Sequence, residues 1–345
     1  MTGQDPADPR PEVRIDRSDV GRRVSVRRLS EFVDGRPVFR DVIGVLESWD
    51  DQGLTVVPRD GRPVSFPEKL LVAGKTVPLF PARRAARMPE ADPVELQRIA
   101  ARGWPAVEQQ ALGEWTLRAA SGFTRRANSV QALGDPGLPL PEALTAVRDW
   151  YRLRHLPAYV EVTVPGSPEG LIAELDRLGA RYAPTLVRTA PLAPLSRLAS
   201  GHKGAPPAEG WGRVRLSRTA GPDWLAQYRR VTADAELERA AVRVLHGGPS
   251  VWFATVPGPE GPLAIGRCVV DGPWACFGAI EVAPYARRAG LATAVMAVLA
   301  ARAAEEGASG ACLQVEAENT AAIALYDQLG FRTSHTYHYA QLPQR

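Results

Sequence analysis

Two short stretches near the end of the chain carry residue types that could do chemistry. The first runs Ile280-Glu281-Val282-Ala283-Pro284-Tyr285-Ala286 and continues Arg287-Arg288-Ala289-Gly290-Leu291-Ala292 into the apolar run TAVMAVLAARAAEE. This reads as a strand, a tight loop and a helix. The first N–H groups of a helix lack intrahelical partners and sit at the positive end of its dipole, so such a loop can cradle a pyrophosphate. Gly290 would let the backbone approach closely, and Arg287 and Arg288 would add charge. An ordinary strand-to-helix turn with surface arginines would look the same.

The second stretch is Cys312-Leu313-Gln314-Val315-Glu316-Ala317-Glu318-Asn319, followed by a helix from Thr320 to Leu329 that carries Tyr326, then Gly330-Phe331. Together the two stretches resemble the GNAT acetyltransferase superfamily. Arg287 to Ala292 is similar to its R/Q-x-x-G-x-G/A signature, preceded by V-x-P as Val282-Ala283-Pro284. Val315, Asn319, Ala322, Leu325, Tyr326, Gly330 and Phe331 follow its V-x-x-x-N-x-x-A-x-x-L-Y-x-x-x-G-F pattern. The resemblance implies acetyl-CoA as co-substrate. The backbone of Ile280 to Val282 would pair with the pantetheine arm, and the amides of Arg288, Ala289, Gly290, Leu291 and Ala292 would hold the pyrophosphate. Asn319 would hydrogen-bond near the arm and Tyr326 would face the thioester. A phenol there could protonate the departing thiolate, although a tyrosine on an amphipathic helix can equally be a core residue.

An attacking alkylamine must first lose a proton, at a cost of roughly 4 kcal/mol at neutral pH. Protein N-terminal acetyltransferases of the superfamily use a Glu in the strand before the Asn, but the matching residue here is Gln314, and an amide cannot accept that proton. Glu281, Glu316 or a water relay could serve, and Glu281 is the choice made from strand position.

These stretches need a scaffold. The alternation downstream of 211 (strand 211–216, helices 222–231 and 236–245, strands 250–256, 262–270 and 273–283, helix 288–306, strand 311–316, helix 319–329, strand 331–339) predicts an α/β domain over 211–341. Residues 92–190 read as a similar mixed unit. Shifted by 151 residues, Leu178-Gly179 falls on Leu329-Gly330, Asp176 on Asp327 and Val164 on Val315, as a duplication would place them. The upstream copy lacks the chemistry: Leu175 stands at the place of Tyr326, Pro168 at that of Asn319, and GDPGLPLP at 134–141 fills the loop position. The first half is therefore expected to be a degenerate GNAT-like half. Residues 191–210, rich in Pro, Gly, Ala and Ser, read as a linker.

Further upstream, short β-branched segments separated by Asp-Gly at 34–35 and 60–61 predict a small all-β unit over 19–80, of SH3-like barrel type. The polar, Pro-rich residues 1–18 are expected to be disordered. The overall layout resembles a family of actinobacterial acetyltransferases described as histone acetyltransferase-like, with an SH3-like N-terminal domain.

Composition narrows the class. The chain has 345 residues, 45% of them hydrophobic, and no uninterrupted apolar run of membrane length, which points to a soluble, cytoplasmic protein. Cys268, Cys276 and Cys312 all fall in apolar strands and are expected to be buried free thiols; no spaced Cys/His cluster suggests a metal. A net charge of +4 leaves nucleic acid a minority reading, because no base-reading motif accompanies Arg22, Arg23, Arg27, Arg28, Arg83, Arg84 and Arg87. The resulting expectation is transfer of acetyl to a primary amine of a protein, lysine or N-terminus. The alternatives are a small amine such as an aminoglycoside, a polyamine or a mycothiol precursor, and a non-catalytic module that senses acyl-CoA. Arg125, Arg126 and Asn128 could line a pocket, or be surface charge and turn chemistry.

Overall fold

The computed structural model describes residues 13–33, 35–58, 62–77, 88–199, 214–228 and 234–343. The chain divides into two compact units, residues 1–83 and 84–345.

The first unit is all β: β1 (Val13–Arg14), β2 (Arg23–Val33), β3 (Arg36–Asp50), β4 (Gly53–Pro58), β5 (Val64–Phe66) and β6 (Leu71–Thr76). Their order is β1-β6-β2-β3-β4-β5, and among the described residues the sheet does not close into a barrel. Val24, Val26, Leu46, Leu54, Val56 and Phe66 form its core. These positions alternate along their strands, as the two faces of a pleated strand require. Within the stretch expected to be disordered, Val13–Arg14 pairs with β6, and Asp16 caps a 3-10 turn at Arg17–Asp19. Residues 1–12, Asp34 and 59–61, and most of the connector after the all-β unit, lie outside the described residues.

The second unit contains α1 (Pro93–Gly103), β7 (Glu108–Leu112), β8 (Trp115–Ala119), β9 (Val130–Gln131), α2 (Leu140–Arg152), β10 (Tyr159–Val164), α3 (Leu171–Arg177) and β11 (Arg181–Pro191). It continues with α4 (Leu192–Leu198), β12 (Arg215–Ser217), α5 (Pro222–Gln227), α6 (Ala235–His246), β13 (Ser250–Val256), β14 (Ala264–Asp271) and β15 (Trp274–Val282). Last come α7 (Leu291–Glu305), β16 (Gly310–Glu316), α8 (Thr320–Gln328) and β17 (Arg332–Gln341). The local signals are plain: Asp92 accepts from the Glu95 N–H at 2.8 Å with Pro93 in the first turn, and Asp234 caps α6. Along β14 every residue from Ala264 to Val270 is buried, so this strand is covered on both faces and shows no polar alternation.

All eleven strands of this unit lie in one sheet, ordered β12-β13-β14-β15-β16-β11-β17-β10-β9-β8-β7. The order is informative, because β11 belongs in sequence to the first half yet sits between β16 and β17. In return β17, from the second half, sits between β11 and β10. The 151-residue shift carries β10 onto β16 and β11 onto β17, and of these β11 and β17 are the strands that change places. One apolar cluster forms around α7 with Val295, Met296 and Leu299; a second packs α2 and α3 with Leu144, Val147 and Leu175. Each such buried side chain contributes roughly 1.5–3 kcal/mol.

The stretch that opens the expected linker is a helix. Leu192 and Leu195 of α4 are buried in the cluster around α7. Their i, i+3 spacing supplies a buried stripe within an otherwise loop-like composition. Residues 200–213 lie outside the described residues.

Candidate active site

The site begins with a defect in pairing. β15 and β16 run parallel in register from Trp274 with Gly310 to Phe277 with Leu313, and then separate. On its other edge β15 stays paired to β14, but the register slips between Ile265 and Arg267, so that Gly266 faces two residues, Ala279 and Ile280. Ala279 takes φ of 50°, a left-handed conformation uncommon for a residue with a side chain. Such a bulge bends its strand and re-aims the residues beyond it. A Cβ at Gly266 would lie 2.4 Å from Val295 and 2.8 Å from Ile280, so only glycine fits against the bulge. The result is a wedge between β15 and β16, whose ladder ends at Phe277 and Leu313 among the described residues. Ile280 and Val282, the residues expected to meet an extended ligand, lie on β15 beyond that point.

The wedge opens into a cavity of about 280 Å³. Ile280, Glu281, Glu316, Asn319 and Tyr326 all line it, so residues from both sequence stretches are brought together. Val282 and the loop from Arg287 to Ala292 are outside its lining. That loop lies at the start of α7, where Gly290 takes φ of 73° and Arg288 takes 65°. The first turn holds no acidic residue and no side chain caps it, and a Cβ at Gly290 would meet nothing within 4 Å. Arg287, Arg288, Ala289 and Gly290 are exposed, while the Leu291 side chain is buried below them. An open helix N-terminus with neighbouring arginines and no internal anion fits a phosphate group.

Tyr326 is 9% exposed and its ring packs on Phe331 at 5.8 Å. Its hydroxyl has no hydrogen-bond partner among the described residues, and burial pushes the phenol up to about 12 despite the opposing pull of Arg188. It therefore keeps its proton at neutral pH. Arg188, from β11, binds Asp327 at 2.5 Å and the carbonyls of Phe331 at 2.8 Å and Ile323 at 3.2 Å. An exchanged strand thus fixes the helix that bears Tyr326. Asn319 spends its Oδ1 on the Ala322 N–H at 3.1 Å, capping α8, which leaves the amide NH₂ as the donor available to a ligand. Gln314 accepts from the Tyr337 hydroxyl at 3.2 Å and donates to Gln97 at 3.0 Å.

The other wall comes from residues that the two motifs do not contain. Thr124, Arg125, Arg126, Thr185, Tyr337 and Tyr339 line the same cavity, with Trp104 and Tyr228. Arg125 reaches Glu316 at 3.4 Å and lies over the Tyr339 ring at 5.4 Å. Asn128 is 3% exposed and does not line the cavity. Its Oδ1 accepts from the N–H groups of Ala120 and Gly122, and its NH₂ donates to the carbonyls of Phe123 and Thr124, all within 3.0 Å. It is the internal brace of the loop that presents the two arginines. The period-2 spacing of Tyr337 and Tyr339 was a legible sign that both face one side of a strand.

Among the described residues no group of His, Cys, Asp and Glu could hold a metal, and the three cysteines are free. No described helix is long and apolar enough to cross a membrane.

Known proteins resemble this chain over most of its length. The uncharacterized N-acetyltransferase YobR of Bacillus subtilis (strain 168) is 27% identical over 248 residues, covering 71% of this chain and 96% of its own length. Solved structures of similar fold include a GCN5-related N-acetyltransferase from Kribbella flavida, with 16% identity, 73% and 96% coverage of the two chains and a TM-score of 0.47. A tandem GNAT protein from the clavulanic acid biosynthesis pathway gives 14% identity, 76% and 93% coverage and a TM-score of 0.48. The profile described as "Probable histone acetyltransferase Rv0428c C-terminal" matches residues 91–340, from just before α1 to the end of β17. With both halves of the sheet inside that match, the chain belongs to the Rv0428c C-terminal family and is an N-acetyltransferase of the GNAT type.

Proposed function

We propose that this chain moves an acetyl group from acetyl-CoA to a primary amine by direct attack on the thioester. The observation that carries the reading is the wedge itself: one cavity joins the place where β15 and β16 part, a protonated tyrosine hydroxyl and a carboxylate. The edge of β15 that turns away from β14 beyond Phe277 can pair with the amides of a pantetheine arm as an added strand would. The pyrophosphate would then rest on the amides of Arg288 to Ala292, with Arg287 and Arg288 beside it.

In the reaction the amine nitrogen lone pair attacks the thioester carbon, and the carbonyl becomes an oxyanion that backbone N–H groups of β15 can stabilise. Glu281 takes the proton that the amine must lose. Collapse of the intermediate breaks the C–S bond, and the thiolate receives the Tyr326 proton. The products are an amide and free coenzyme A. Gln314 takes no part as a base, being an amide already engaged with Tyr337 and Gln97.

The family description favours a protein amine, lysine or N-terminus, as acceptor. A small-molecule amine is the second reading, and the walls of the cavity support it: about 280 Å³ lined from both halves suits a compact acceptor. A pure sensor of acyl-CoA has no need of a leaving-group acid. Titration calorimetry with acetyl-CoA, followed by thiol release in the presence of amines, tests the proposal. Saturable binding with amine-dependent release is expected, and wild-type protein that binds no acetyl-CoA overturns it.

A further inference from the structure

Three arginines of the second unit are buried and answered by the protein, and a fourth, Arg126, is half-buried in the cavity wall. Arg118 pairs with Glu161 at 2.8 Å, both side chains 3% exposed or less. Arg267 donates to the carbonyls of Leu245, Gly103, Val244 and Gly247. Arg188 holds Asp327 and two carbonyls.

Arg126 is different. It lines the cavity, and no carboxylate of the described residues comes within ion-pair distance of it. Its Nε, like that of Arg188, is shielded from solvent and has no hydrogen-bond partner, but Arg126 has no acid to match Asp327. What surrounds the guanidinium is neutral: the Tyr337 hydroxyl as a hydrogen-bond partner, Tyr339 and Tyr228 beyond it, and the Trp104 ring at 5.6 Å. Arg267 lies 5.0 Å from the centre of the same ring, so two positive charges share Trp104. The neighbouring Arg125 is already matched by Glu316. A guanidinium taken out of water without an anion is costly, and a planar fork of donors suits a carboxylate.

We propose that Arg126 is the anion-binding group of the acceptor site, and that the amine acetylated here carries its own carboxylate, a small zwitterion of the amino-acid class rather than a lysine within a basic peptide. The inference rests on the acetyl-transfer reading. The acceptor enters with its carboxylate against Arg126 and Tyr337 and its amine toward Glu281 and the thioester. The loop braced by Asn128 sets the position of the charge, so the silent half supplies specificity while the other half supplies chemistry.

The test uses the full chain saturated with coenzyme A, which occupies the α7 loop, and two product-like probes, N-acetyl-leucine and its uncharged amide, titrated by calorimetry. At least tenfold tighter binding of the acid is expected in the wild type. In Arg126→Gln that difference should vanish with coenzyme A affinity unchanged, and Arg126→Lys should restore part of it. Equal binding of acid and amide, no binding of either, or a preference that survives in Arg126→Gln overturns the proposal. With acetyl-CoA as donor, leucine and lysine should exceed 3-methylbutylamine and cadaverine at least tenfold in kcat/KM, and Arg126→Gln should raise KM for the acids while sparing kcat. Faster turnover of the decarboxylated amines, or of a basic lysine peptide, also overturns it. Failure of acetyl-CoA to bind at all would instead sink the acetyl-transfer reading.

Discussion

The two halves of the eleven-stranded sheet share a plan and differ in what fills it. In the second half β15 and β16 part after Phe277 and leave a wedge. In the first half β9 and β10 also begin in parallel, Val130 with Val160 and Gln131 with Glu161, but the gap beyond is stitched closed. The Ser167 hydroxyl donates to the Ala132 carbonyl at 2.6 Å and accepts from the Thr163 N–H at 2.9 Å, and Gly134 N–H reaches the Gly166 carbonyl at 3.1 Å. The loop before α2 is filled as well. Glu114 accepts from the Asp135 N–H at 2.6 Å and Asp135 from the Gly137 N–H at 2.8 Å, so carboxylates of the chain occupy amides that a phosphate would need. At the place of Tyr326 stands Leu175, wholly buried. The comparison teaches that the proposed coenzyme site depends on the parting of two strands, and that a few internal hydrogen bonds suffice to close such a gap.

The sharpest way to test the contrast is to give the active loop the filling of the silent one. Gly290→Glu puts a carboxylate before the amides of α7 and forces a side chain at φ of 73°. Acetyl-CoA affinity should fall by about a thousandfold, as two like charges meet in one cradle. Calorimetry reads this directly, and unaltered binding would separate the loop from the coenzyme.

Next in size is the buried Arg118–Glu161 pair of the first half. Glu161→Gln leaves Arg118 charged and without its acid, and should cost about 3–5 kcal/mol of stability. A melting temperature lower by roughly 10 °C is expected for a unit of this size. A shift within a degree or two would mean that Ser129, which also binds Arg118, satisfies the charge alone.

Tyr326→Phe removes the proposed proton donor but keeps the ring on Phe331. It should lower kcat about a hundredfold, at the low end for general acid catalysis, and leave acetyl-CoA affinity within about twofold. An unchanged kcat would reduce the tyrosine to a packing residue.

The pH profile should show a smaller signature. Because burial raises this phenol to about 12, its acid form is undiminished up to pH 10, and an ordinary tyrosine near 10 would already be half ionised there. As the protonated form is the active one, kcat should not fall between pH 8 and 10 on account of Tyr326; an alkaline limb near 10 that disappears in Tyr326→Phe would contradict its burial. Finally, emptying the silent loop with Glu114→Gln and Asp135→Asn should add no second site. One acetyl-CoA per chain is expected before and after, since the stitched strand edge still offers nothing to pair with.

Much of this was legible in the residues. The motif around Gly290 and Asn319 located the loop and the helix that bears Tyr326, because helix starts are signalled by small, local sets of residues. The shift of 151 matched strands β10 and β11 to β16 and β17. What was not legible is how they combine. The exchange of β11 and β17 leaves no local trace, since an antiparallel neighbour can come from either half without changing a strand's own alternation. The cavity wall of Thr124, Arg125 and Arg126 depends on that exchange and on Asn128, whose four hydrogen bonds look like turn chemistry from the sequence. β7 escaped notice because Glu108, Gln109 and Gln110 are exposed on an edge strand with no apolar face to betray it. In α4, composition concealed a buried leucine stripe.

The exchange also bears on why a half without chemistry is still there. Each half lends the other the strand that completes its sheet, and Arg188 on the lent strand β11 grips the helix of the working site. Neither half can be removed without tearing a strand from the centre of its partner's sheet, and a gene split between β11 and β12 should yield two insoluble fragments that recover activity only when produced together.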